Sequence, residues 1–228
     1  MSRLKIAVKT GGFLFPSKLN ATKIQRYVKT LRKLVEKGDR LLVVTGGGEN
    51  ARRYINVARK AGVDESTCDQ IGIEISRLNA YLLISLLGNS AYSALPTTIR
   101  DVKRLFQSGK IVVMGGLTPG HSTTAVGAIA AEAIKADRYI ISSDVDGIYT
   151  TDPKLHRNAK KLEEVTTIQI LKMITNKQLW AGSYQLDFVA LKIIERSQIP
   201  TYFIDGRNAS NLLRVVGGEK IGTYIYVA

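Results

Sequence analysis

Arg40-Leu41-Leu42-Val43-Val44-Thr45-Gly46-Gly47-Gly48 reads as a strand that runs directly into three glycines. Four consecutive apolar residues suit a strand buried on both faces, not one that turns alternate residues to water. The pattern recurs on either side. Leu4–Lys9 leads into Thr10-Gly11-Gly12, Ile111–Met114 into Gly115-Gly116, and Arg138–Ser142 into Ser143-Asp144-Val145-Asp146-Gly147. Thr201–Ile204 and Thr223–Val227 are two further strand candidates.

Helical periods fill the intervals. Asn20 is a cap for a helix whose apolar stripe is Ile24, Tyr27, Val28, Leu31, Leu34 and Val35, stopped by Gly38. Further helices are expected over 50–61, 66–87, 98–108, 124–134, 167–174, 187–198 and 208–216. The alanine-rich 124–134 stretch is suited to close packing on a sheet. Strands alternating with helices predict α/β class: a three-layer α/β/α sandwich around a mostly parallel sheet. With no internal repeat and no low-complexity linker, residues 1–228 are expected to form a single domain.

Composition agrees with a globular chain: 45% hydrophobic and 23% charged. No uninterrupted apolar run reaches the roughly 18 residues of a membrane span. The first nine residues are too short and too charged for a signal peptide. The single cysteine, Cys68, cannot close an internal disulfide or build a cysteine zinc site, which favours a reducing compartment. Cytoplasmic location without a membrane partner is the expectation. The net charge of +14 would suit a polyanionic ligand. Its densest group, Lys23, Arg26, Lys29, Arg32, Lys33 and Lys37, falls on the polar side of one amphipathic helix, where a solvated face is the simplest reading. Without a zinc-finger spacing, an RNP-like motif or a basic tail, nucleic acid is not an expected partner.

In an open parallel sheet ligands bind beyond the carboxyl ends of the strands, and here nearly every such end is glycine. Glycine lets the backbone approach a ligand closely, and a following helix adds its positive N-terminus. One such turn is weak evidence. Several on one edge, with Lys9, Arg52, Arg53 and many hydroxyls, make an anion site of phosphate size. The absence of G-x-x-x-x-G-K-[ST] argues against a P-loop kinase. The protein-kinase motifs and a nucleophile elbow are missing too. His121 and His156 are the only histidines; His156, Lys192 and Trp180 read as structural or surface groups.

Three blocks then carry a resemblance. Lys9-Thr10-Gly11-Gly12, Gly46-Gly47-Gly48 with Ala51-Arg52-Arg53-Tyr54-Ile55, and Ser143-Asp144-Val145-Asp146-Gly147-Ile148-Tyr149-Thr150-Thr151-Asp152-Pro153-Lys154 are similar to the amino-acid-kinase superfamily. Asp69-Gln70-Ile71-Gly72-Ile73, Ser76-Arg77-Leu78-Asn79-Ala80 and the Gly115–Thr124 loop resemble its archaeal type of uridylate kinase. The resemblance implies the carbamate-kinase-like fold, with an acceptor-nucleotide lobe near 1–137 and an ATP lobe near 138–228. It implies Mg²⁺-dependent transfer of the ATP γ-phosphoryl group to UMP, within pyrimidine nucleotide biosynthesis, by a homohexamer.

Residue roles follow from the same resemblance. Lys9 would lie between donor and acceptor phosphates, and Asp146 would order its loop or contact Lys9 or magnesium. Thr10, Gly11, Gly12, Gly48 and Arg52 would hold ATP phosphates, and Ser143, Tyr149 and Asp152 the adenosine. Gly47 would pack on UMP, Asp69 would accept from the ribose hydroxyls, and Leu117, Thr118, Pro119, Gly120, His121, Ser122 and Thr123 would line the UMP pocket. No side chain is assigned as a metal ligand. Phe13 stands where the family has a small or polar residue, and Ser143-Asp144 where the archaeal type has Thr-Asn. A kinase with a carboxylate acceptor and a non-catalytic nucleotide-binding protein remain alternatives, and a nucleic-acid binder rests on charge alone.

Overall fold

The computed structural model describes residues 3–153, 155–176 and 186–227. Lys154 and Trp180 lie outside them. The elements run β1 (Lys5–Thr10), α1 (Ala21–Glu36), β2 (Arg40–Thr45), α2 (Gly48–Lys60), α3 (Glu65–Leu87), α4 (Ile99–Phe106), β3 (Val112–Met114), α5 (Thr123–Ile134) and β4 (Arg138–Ser143). There follow β5 (Ile148–Tyr149), β6 (Lys161–Leu162), β7 (Glu164–Thr166), α6 (Thr167–Thr175), α7 (Phe188–Ser197), β8 (Thr201–Asp205), α8 (Ser210–Val216) and β9 (Thr223–Tyr226).

Seven strands form one sheet in the order β3-β2-β1-β4-β8-β9-β7. All neighbours are parallel except β8 and β9. The double-sided burial read from Leu41–Val44 is what the fold uses. Leu42 and Val44 join the layer containing α4, α5, α6 and α7, while Leu41 and Val43 join α1, α3 and α8 on the other face. All four are fully buried, and each contributes roughly 1.5–3 kcal/mol by leaving water. The alanine-rich α5 packs as closely as expected: the Tyr139 hydroxyl donates to the Thr124 carbonyl at 2.8 Å, and a side chain on Gly127 would overlap that hydroxyl.

Helix ends differ by at most two residues from the sequence reading, and side-chain caps fix most of the starts. Asn20, Asp64, Thr98, Ser122, Thr166 and Asp187 each accept a backbone N–H of the first turn. The sequence reading omitted β5, β6 and β7. These have two or three residues, too few for a period, and are held by partners distant in the chain. Thr223 Oγ1 accepts from the Ile148 N–H at 2.8 Å and donates to the Leu162 carbonyl at 2.6 Å.

By length and composition the 65–90 stretch is apolar enough to cross a membrane. Its Cys68, Ile73, Ala80, Leu83, Ile84 and Leu87 are buried, with the last four packed in the core under α1 and β2, as in a core helix.

Candidate active site

The glycine turns after β1, β2 and β4 converge on one sheet edge. The Gly11 N–H donates to the Ser142 carbonyl at 2.7 Å, and the Gly46 N–H to the Thr10 carbonyl at 3.3 Å. Thr10 itself is buried, its hydroxyl 3.4 Å from the Val44 carbonyl. A Cβ on Gly12 would lie 3.1 Å from Gly48 Cα. Gly48 has φ +69°, and a Cβ there would overlap the Phe15 carbonyl, so only glycine lets the two turns approach this closely. Helix α2 begins at Gly48 and carries Arg52, exposed to solvent.

Lys9, the penultimate residue of β1, lies beneath these turns and is 5% exposed. Burial pulls its ammonium from the ordinary 10.5 down to about 8, against the opposing charges of Asp144 and then Asp187. A cation at the meeting point of several phosphate-sized turns stabilises negative charge better in this dry setting than in water. Replacing Asp144 by asparagine removes the larger of the two fields that hold the proton on. The Lys9 pKa should then fall below about 8 by on the order of one unit. NMR titration of the labelled lysine side chain without nucleotide measures this, and an unmoved midpoint would show that Asp144 does not set it.

Asp146, assigned alongside Lys9 from the sequence, makes its closest contacts elsewhere in its own loop. It accepts from the Tyr149 hydroxyl at 2.9 Å and lies 3.5 Å from Lys161 Nζ. Burial, then Asp146, pushes the Tyr149 phenol up. Ser143 is buried and its Oγ accepts the Val145 N–H at 3.2 Å. The Asp152 carbonyl accepts the Leu155 and His156 N–H groups at 3.1 and 2.9 Å, so Asp152 does form a turn. Asp146 and Lys161 also open onto a cavity of about 570 Å³ beside Tyr202 and Tyr224.

The second group of predicted residues meets on the opposite side of the glycine turns. Gly47, Asp69, His121 and Thr123 line one cavity of about 170 Å³ with Ala51, Ile55, Gly72, Ile73 and Gly116. Asp69 Oδ2 accepts the Gly120 N–H at 2.7 Å, which fastens the 117–123 loop to α3. Within that loop the His121 N–H donates to the Thr118 carbonyl at 3.3 Å. Leu117 packs against the core, and Thr118, Gly120 and Ser122 are exposed; Pro119 does not line the cavity. Ser122 caps α5 and donates to Asp187, so α5 and α7 are tied at their starts.

Sequence reasoning missed four positions. Asp144 was read only as a departure and Asp187 only as a helix start, yet both direct charge at Lys9. Ser76 Oγ accepts the Gly116 N–H at 2.7 Å, and Asn79 Nδ2 donates to the Gly46 carbonyl at 2.8 Å. These two hold both glycine turns against α3; their signal was two polar residues three apart on a buried helix face. The Phe13 departure has a packing reason: its ring lies edge-on to Tyr27, centroids 6.2 Å apart, under Gly206, where any Cβ would overlap it.

Residues 5–205 match the model of the amino acid kinase family. The chain is 40% identical over 223 residues to a uridylate kinase of Methanobrevibacter smithii, covering 97% of this chain and 99% of that one. It is 43% identical over 219 residues to a uridylate kinase of Methanococcoides burtonii, covering 96% and 93%. The crystal structure of uridylate kinase from Archaeoglobus fulgidus superposes with a TM-score of 0.85 at 38% identity, over 98% of this chain and 100% of that one. A UMP kinase structure from Bacillus anthracis has the same fold, with a TM-score of 0.85 at 21% identity.

Proposed function

Because the chain belongs to the amino acid kinase family, with that family's fold, we propose that it is a uridylate kinase transferring the γ-phosphoryl group of ATP to UMP. The observation that carries this reading is the placement of buried Lys9 below converging glycine turns, with Gly47, Asp69, His121 and Thr123 gathered in one cavity beside them. The relatives, uridylate kinases at 40–43% identity over nearly the full length, support the acceptor.

A phosphate oxygen of UMP attacks the γ-phosphorus as the bond to the β,γ-bridging oxygen breaks, giving UDP and ADP with no covalent enzyme intermediate. The attacking oxygen is already anionic near neutral pH, so no general base is required. The demand is positioning and charge neutralisation. Lys9 meets the transferring group. Backbone N–H groups of Thr10, Gly11, Gly12 and Gly48, with Arg52, hold the ATP phosphates, while Ser143, Tyr149 and Asp152 hold the adenosine. Asp69 takes the UMP ribose, Gly47 packs on UMP, and Leu117–Thr123 surround the base. Asp146 orders the Tyr149 arm. The part near 1–137 then carries the acceptor nucleotide and the phosphate turns, and the part near 138–228 the donor nucleoside.

Among the described residues no group of three or more acidic, histidine or cysteine side chains forms a metal cage. The chemistry fits an ion carried by the donor: Mg²⁺ keeps its waters and takes phosphate oxygens plus one or two carboxylates, and Asp144, facing Lys9, would supply one. When bound, the ion neutralises charge on the β- and γ-phosphates. Cytoplasmic location, a role in pyrimidine nucleotide biosynthesis and homohexamer assembly belong to the same proposal. Leu78 and Tyr81, 68% and 55% exposed on α3, are apolar surface suited to a second copy.

The test is ADP release from ATP and Mg²⁺ with UMP, CMP, dUMP, AMP, acetylglutamate or aspartate. Magnesium-dependent turnover with UMP is expected. Turnover with an amino acid instead would overturn the acceptor, and none with any would overturn the kinase reading. Asp69→Ala should raise KM for UMP about tenfold or more, the loss of a charge-assisted hydrogen bond, with KM for ATP within about twofold. Equal changes in both would place Asp69 outside the acceptor pocket.

A further inference from the structure

Lys23, Arg26, Lys29 and Lys33 follow one another on α1 at spacings of three and four, which places them on one stripe. The stripe does not simply face water. Opposite it, the turn between β8 and α8 carries Arg207, and the two enclose a cavity of about 310 Å³. Among the described residues no carboxylate lines this cavity. Arg207 is braced by Asp205 at 2.9 Å, and α1 has no acid in its first turn. Four α1 cations lining a concavity, with the Asp205-paired Arg207 on its far wall, focus positive potential as the same charges on a convex face do not.

The floor of the groove is Phe13, which follows the Gly11-Gly12 turn directly. Lys23 Nζ donates to the Phe13 carbonyl at 2.9 Å and sits 5.3 Å from its ring centroid. Phe13 is in turn wedged between Tyr27 and Gly206. The groove therefore backs onto the phosphate turn without containing Lys9, Gly11, Gly12 or Gly48.

We propose that this groove is a second anion site that takes an oligophosphate chain, from a nucleotide or from free inorganic oligophosphate. The four α1 cations call for several negative charges on one small ligand, with Arg207 as a further donor. The volume falls at the small-molecule end of ligand sites. A nucleic-acid strand would instead need an extended open track of cations.

Calorimetric titration with inorganic tripolyphosphate at low salt tests this. The wild-type protein should bind it, Lys9→Met should bind it comparably, and the triple variant Arg26→Glu/Lys29→Glu/Lys33→Glu should bind at least tenfold more weakly. The milder Lys29→Gln/Lys33→Gln should lose several-fold, which guards against misfolding of the triple variant. Arg100→Glu/Lys103→Glu/Lys110→Glu, an equal charge change elsewhere, should leave affinity within about twofold. Repeating the titration with a nucleoside triphosphate, and counting only the binding that the Arg26/Lys29/Lys33 variant loses, separates the sources. A groove-dependent gain over tripolyphosphate assigns a nucleotide, and equal affinity assigns the phosphate chain alone. Undiminished binding in the Arg26/Lys29/Lys33 variant, loss in Lys9→Met, or equal loss in the Arg100/Lys103/Lys110 variant would overturn the site. So would tight binding of single-stranded RNA with none of tripolyphosphate.

Discussion

Lys9→Met is expected to lower turnover on the order of 10³-fold or more while making the folded protein more stable at neutral pH. The first effect follows from removing the cation that the proposed mechanism sets at the point of transfer, where electrostatic stabilisation in a dry site commonly accounts for such factors. Nucleotide affinity should stay within about tenfold, because the backbone donors of the glycine turns remain. The second effect follows from the depressed pKa. Lys9 titrates near 8 in the fold against 10.5 in an ordinary lysine, a difference worth about 3 kcal/mol.

The sign is set by which state holds the proton. Below pH 8 the ammonium is charged in both states, so the native state bears the whole burial penalty. Between about 8 and 10.5 the unfolded chain binds a proton the native chain does not, and wild-type stability rises with pH. Above 10.5 the penalty is gone. Lys9→Met should therefore exceed the wild type by up to about 3 kcal/mol at pH 7, a gap that closes in alkaline solution. Urea unfolding at both pH values, paired with steady-state kinetics, measures this. Near-normal turnover would remove Lys9 from the mechanism, and a destabilised variant at pH 7 would show that its charge is not costly.

Gly48→Ala should reduce turnover about 100-fold or more and cost roughly 1–3 kcal/mol of stability. The left-handed backbone at φ +69° alone costs a residue with a Cβ about 1–2 kcal/mol. The new methyl would also meet the Phe15 carbonyl and cannot be relieved by rotating a side chain, since the obstacle is backbone. The turn must move, carrying away the N–H groups proposed to hold the phosphates and the start of α2. A displacement of about 1 Å at a reacting centre costs on the order of 10²-fold. Gly62→Ala is the control. It too has positive φ, but nothing lies within 4 Å of its missing side chain. It should lose stability without a comparable loss of turnover, and equal kinetic loss in the two would contradict a local role for Gly48.

The α/β class was legible in the sequence because its cause is local. Runs such as Leu41–Val44 and Ile111–Met114 are apolar on both faces wherever they sit, and a parallel sheet under two helical layers is the arrangement that buries both faces. The glycine turns were legible for the same reason: Gly48 announces a backbone that a side chain would obstruct. Beyond these, the ligand assignments came from likeness to a family.

Tertiary structure alone decided what lies next to what. Asp144 and Asp187 are 43 positions apart in the chain, and only the crossover that brings α7 beside α5 lets both reach Lys9. The β5–β6 hairpin is anchored by Thr223 of β9, whose hydroxyl bonds both of its strands. The α1 cations read as a solvated face, and only the fold sets the β8–α8 turn across a cavity from them. Hydrophobic pattern and turn chemistry are properties of neighbouring residues, whereas the lowered pKa of Lys9 and the focused charge of a groove depend on distances that only packing sets.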